Sequence, residues 1–217
     1  MSSLGVRRRF AAVSLALAGS LVALSACSGA DDPDADAAQS PSSSVSPSAS
    51  PTPTPTPSAT YKPASAEGPA ENVPLPVMPE EAKVESKEGL IAFARYWYEA
   101  AAYGYETGDV GPLKAISGPD CTACNGAYST LATWYEGDGW AAGGQIEVTS
   151  AASEYALTES GNRQALVMFK QVPIDVYGSD GLVRTMGQGD TYVQLMDASY
   201  LDGSWVAMDV VTMKQMS

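Results

Sequence analysis

The chain has 217 residues, 45% of them apolar and 17% charged, with 25 Asp and Glu against 12 Lys and Arg and no His. A formal charge of −13 argues against a nucleic-acid partner, because phosphate backbones are held by Lys and Arg. Without His, serine and cysteine triads lose their usual proton carrier and zinc loses a common ligand.

The N-terminus reads as an address. Arg7, Arg8 and Arg9 precede an apolar run from Phe10 to Leu24, followed by Ser25, Ala26 and Cys27. A charged region, a short apolar region and a small-residue site ending in Cys is the order of a bacterial lipoprotein signal. The apolar run is short for a membrane span, which sets aside an uncleaved anchor helix. Residues 1–26 are expected to be removed and Cys27 to become the lipid-bearing first residue, its sulfur in a thioether and its amine acylated, as by palmitate. More than one chain makes such an anchor stable. Arg7 to Phe10 also resembles a twin-arginine export signal. Cleavage leaves the mature chain more acidic still, so attachment is expected to come from the lipid and not from a basic patch.

Residues 27–78 are expected to form a disordered tether. Asp31, Asp32, Asp34 and Asp36 open it, and Ser40 to Pro63 is almost entirely Ser, Pro, Thr and Ala. So little apolar surface cannot offset the entropy of ordering. Alternating prolines favour extended polyproline II, whose rise of about 3.1 Å per residue gives that stretch a reach on the order of 75 Å. Its hydroxyls are candidate glycosylation sites.

Residues 79–217, about 140 of them, make a single domain of common size. Ser86 caps a first helix whose Leu90, Phe93, Ala94, Trp97, Ala101, Gly104 and Tyr105 share one face, and Gly108 ends it. Pro112 opens a short second helix, and Asp120 caps a third that runs to about Glu136. Gly137 to Gly144 reads as a flexible loop carrying an exposed Trp140. Strand-like alternation follows at Ile146 to Ser150, then a β-rich run from Ala165 to Tyr177 interrupted at Pro173, and further strands at Thr191 to Tyr200 and Trp205 to Met213. The expected fold is α+β and cone-like: three N-terminal helices packed on a curved antiparallel sheet of about four strands.

Several spaced motifs carry a resemblance: Ser86 to Leu90 with Ala92-Phe93, Tyr96-Trp97, Thr107-Gly108-Asp109, Ile116-Ser117 and Cys121-Thr122-Ala123-Cys124. Together they resemble an uncharacterised actinobacterial lipoprotein family with a proline-rich tether and a globular domain of unknown function. The order of elements resembles the cone folds of the nuclear transport factor 2 and polyketide-cyclase type. That topology implies isomerases, dehydratases, cyclases or non-catalytic binding modules. The enzymes among them often use an Asp with His or Tyr, and here the His is missing.

With Cys27 lipidated, Cys121 and Cys124 remain as a pair in an oxidising compartment, spaced to bond on the first turn of a helix. A structural disulfide is the leading reading, with a thiol-disulfide oxidoreductase as the alternative. Asp120 next to Cys121 would disfavour a thiolate, and two cysteines without His argue against zinc. No metal and no cofactor are expected. Trp97, Tyr135, Tyr192 and Trp205 are candidates to line a pocket between the long helix and the sheet. Asp209 joins them because it shares strand parity with Trp205, Ala207 and Val211. The function expected is a membrane-anchored extracytoplasmic lipoprotein, a non-catalytic binding module for a small ligand or an envelope protein. The alternative is a cone-fold enzyme using Asp209 and a Tyr.

Overall fold

The computed structural model describes residues 59–216. The signal segment 1–26, the lipidation site Cys27 and the tether to residue 58 lie outside the described residues.

Residues 59–79 carry no regular helix or strand, but Lys62 and Glu71 pair across a small hairpin through both backbone N–H groups. A 3-10 turn at Glu80–Lys83 then leads into α1 (Lys87–Thr107). The Ser86 side chain accepts from the Gly89 N–H at 2.9 Å, satisfying one of the free donors at the helix start. Gly108 closes the helix at φ +75°, and its missing side chain leaves room for the Tyr135 ring, which a Cβ there would meet at 2.5 Å. Then come α2 (Gly111–Ala115) and α3 (Thr122–Trp134). The cap of α3 is Cys121, whose Sγ accepts from the Cys124 N–H, and not Asp120, which is exposed.

Seven strands follow, in two antiparallel sheets. The strands β1 (Trp140–Gly143), β4 (Ile174–Gly178) and β5 (Gly181–Met186) form a sheet in the order β1-β4-β5. The strands β2 (Ile146–Ala152), β3 (Arg163–Gln171), β6 (Thr191–Leu201) and β7 (Ser204–Met216) form the other in the order β2-β3-β6-β7. The expectation of three helices on one curved sheet of about four strands is therefore overturned: strand residues outnumber helical ones, and the sheet is two sheets.

The reason lies at one corner. Pro173 has no N–H for the ladder, so the apolar run Ala165 to Tyr177 divides into β3 and β4, which pair in different sheets. Opposite it, Gly143 and Gly144 turn the chain from β1 to β2 at φ +83° and +75°. Of the residues expected as a flexible loop with an exposed Trp140, Gly137 to Gly139 are a turn, but Trp140 to Gly143 are the strand β1. Trp140 is half-buried, stacks on Tyr177 with ring centroids 5.1 Å apart, and donates its indole N–H to the Ser65 carbonyl at 2.8 Å.

The larger core joins one side of α1 to the four-stranded sheet. Leu90, Phe93, Ala94 and Trp97 meet Ala165, Val167 and Phe169 of β3, Met196 and Ala198 of β6, and Trp205, Ala207 and Val210 of β7. Strict alternation along β3 puts Leu166, Met168 and Lys170 on the opposite, exposed face. A smaller core gathers Leu131 and Trp134 of α3 with Ala141, Ile174 and Val176 of the three-stranded sheet.

Candidate functional site

Two adjoining cavities of about 220 and 230 Å³ lie between α1, α3 and the strands, sharing Tyr105, Ala127, Gln171 and Tyr192 in their walls. They form one cleft. Ala101 and Ala127 leave the space that larger side chains on these helices would fill. The aromatic wall is a continuous series: Trp97 meets Tyr98 edge-on at 5.0 Å, Tyr98 meets Phe169 at 4.8 Å, and Phe169 stacks on Tyr192 at 5.2 Å.

Most polar atoms in this wall are tied to other protein groups. The Tyr98 hydroxyl donates to Gln194 Oε1 at 2.7 Å, and Gln194 Nε2 donates to Thr212 Oγ1 at 2.9 Å. Gln171 Nε2 reaches the Gly144 carbonyl at 3.3 Å. The Trp97 indole donates to Ser117 Oγ at 2.9 Å, and Ser117 donates onward to the Leu113 carbonyl. Behind Tyr192 stands Asp190, 4% exposed, whose Oδ2 takes a hydrogen bond from Gln215 Nε2 at 2.7 Å and a long one from the Tyr192 hydroxyl at 3.4 Å. Its Oδ1 is buried without a partner among the described residues.

Burial pushes the phenols of Tyr98 and Tyr105 above the ordinary value, the Gln171 amide pulling the other way on Tyr105. Burial raises Tyr192 too, with the negative charge of Asp190 adding to it. These phenols are neutral hydrogen-bonding groups at neutral pH. The cleft wall contains no Lys or Arg.

Of the residues anticipated for a pocket, the structure brings together Trp97 and Tyr192. Tyr135 is elsewhere: its hydroxyl donates to the Tyr105 carbonyl at 2.7 Å, its ring covers Gly108, and burial pushes its phenol up to about 12. Trp205, 2% exposed, is core, with its indole on the Val84 carbonyl at 2.9 Å. Asp209 is not on the inward face at all. Pairing of β6 with β7 slips between Asp197–Asp209 and Ala198–Ala207, which leaves Met208 as an extra residue. After that bulge the buried position is Val210, and Asp209 lies opposite Asp197 with its Oδ1 on the Val210 N–H. Parity counted from Trp205 fails because a bulge resets it.

Tyr98, Phe169, Gln171 and Gln194 are cleft residues that the sequence pattern did not single out. The signal for three of them was present: Phe169 and Gln171 continue the inward parity of Ala165 and Val167, as Gln194 does for Met196 and Ala198. Cys121 and Cys124 form a disulfide with Cα atoms 5.3 Å apart. Both are essentially fully buried, away from the exposure that thiol exchange needs. Among the described residues no group of three or more His, Cys, Asp or Glu is placed to hold a metal ion.

Residues 59–211 match the family of unknown function DUF6318. The chain belongs to this family. The match therefore spans the strands and helices that build the cleft. No curated protein matches the DUF6318 chain in sequence. A solved structure, the crystal structure of the intermembrane space region of the chloroplast protein ARC6, aligns at 8% identity and a TM-score of 0.41, over 59% of this chain and 97% of that one. A likeness that slight transfers neither fold nor role.

Proposed function

We propose that this DUF6318 protein is a lipid-anchored, extracytoplasmic binding module whose cleft takes a small ligand with an apolar body. One observation carries the binding reading: α1 and the four-stranded sheet leave a space walled by Trp97, Tyr98, Phe169 and Tyr192 that the protein's own side chains do not fill. Such a wall gives large apolar contact, with few polar groups to fix orientation. Acid-base chemistry has little support there, since the titratable groups of the wall are tyrosines held neutral. Asp209 lies outside the cleft, which removes the acid from a mechanism built on Asp209 and a Tyr. The anchoring part rests on the arginines, apolar run and Cys27 of the N-terminus.

The binding test uses 1-octanol as a neutral probe, read by calorimetry and by the change in tryptophan fluorescence, to which Trp97 and Trp134 of the cleft wall contribute. Ala127 borders both cavities, so Ala127→Phe places a ring in the shared space. The wild-type chain is expected to bind saturably and the variant at least about tenfold more weakly. A wild-type chain without saturable binding, or a variant that binds equally well, overturns the reading.

A further inference from the structure

The hydrogen bonds around the cleft share a direction. Tyr98 spends its proton on Gln194, Gln194 spends an amide hydrogen on Thr212, Gln171 spends one on Gly144, and Trp97 spends its indole N–H on Ser117. Tyr192 points its proton at Asp190, so the phenol oxygen keeps its lone pairs for other partners. What these groups have left to offer is mostly lone pairs, against one amide hydrogen each on Gln171 and Gln194 and the Tyr105 hydroxyl proton, which goes to no other side chain or backbone atom among the described residues. The Asp190 carboxylate adds to this, with one oxygen unpartnered and no salt bridge to a cation among the described residues. A buried carboxylate without a cation is costly; Asp190 lines neither cavity, so its charge acts on a ligand across Tyr192 and not by direct contact.

We propose that the cleft selects ligands whose polar end donates hydrogen bonds, a primary ammonium on an apolar body above all, with the Tyr192 phenol oxygen as the receiving group and the Asp190 carboxylate, outside the cavity walls, holding the Tyr192 proton away from the ligand. This rests on the cleft being a ligand site, and it adds the chemical class. A carboxylate or phosphate headgroup meets lone pairs and negative charge with no Lys or Arg in the wall to receive it. The occupant is an amphiphilic amine, with a neutral alcohol or amide next in order.

The test compares octylammonium, 1-octanol and octanoate on the full-length chain, below their aggregation thresholds. Salt is kept high enough to screen the acidic surface. Octylammonium is expected to bind about tenfold more tightly than octanol, and octanoate more weakly than both. Asp190→Asn and Tyr192→Phe are each expected to bring the ammonium-to-octanol ratio close to one. The ratio is taken within each variant, so a general loosening of the cleft does not mimic the effect. If Asp190→Asn does not fold, Tyr192→Phe decides, because it keeps the ring. Octanoate binding as tightly as octylammonium, or a ratio that neither variant changes, overturns the inference. Octanol binding without a preference for the amine defeats this inference alone, whereas no binding of any probe defeats the cleft reading with it.

Discussion

Gly143 sits where β1 leaves the three-stranded sheet, at φ +83°, and a Cβ on it would lie 2.2 Å from the Pro173 carbonyl oxygen. Two penalties combine there: left-handed backbone, and a clash with main chain that has no freedom to rotate away. Gly143→Ala is expected to destabilise the domain by about 2 kcal/mol or more, read as a lower urea midpoint with an unchanged slope. A midpoint equal to wild type would mean that the corner yields. Asp209 teaches the complementary lesson. Its parity with Trp205 is plain in the sequence, yet a single extra residue at Met208 turns it to the other face. No residue type announces a bulge, so strand parity alone cannot place Asp209.

Among the elements, α1 was the most legible. Ser86 and Gly108 mark its ends, and the apolar spacing predicts the face that meets the sheet. Tyr96, Tyr98 and Ala100 are buried as well, because α1 is covered on more than one side. A single stripe could not reveal that, and Tyr98 was missed in the cleft for this reason. The start of α3 is held by the ring closed between Cys121 and Cys124. In the loop-entropy account so small a ring contributes about 2 kcal/mol. The double variant Cys121→Ala with Cys124→Ala is therefore expected to remain folded and cooperative, losing about that much in denaturant unfolding. A variant that fails to fold would show that the pair holds more than the first turn.

For the whole molecule, the proposed anchor at Cys27 and the Ser, Pro and Thr-rich segment after it would hold the domain at a distance from a membrane. No helix among the described residues is long and apolar enough to cross one. Anchoring through Cys27 predicts that the chain takes up a fatty-acid label in cells and that Cys27→Ala does not. An unlabelled wild-type chain, or a labelled variant, contradicts it. Under the proposed cleavage after Ala26 the three arginines would leave and acidic residues would outnumber basic ones still further, which favours a lipid over a basic patch as the attachment.

Local signals in the sequence determined the features that depend on neighbours along the chain: the cap at Ser86, the stop at Gly108, the cysteine spacing, and the alternation that makes Ala165, Val167 and Phe169 inward. The partition into two sheets, the bulge at Met208, and the meeting of Tyr98, Phe169, Gln171 and Tyr192 in one cleft were decided only by tertiary structure. Each depends on which strand pairs with which, and in what register. Pairing is set by contacts between segments far apart in the chain, where periodicity carries no information.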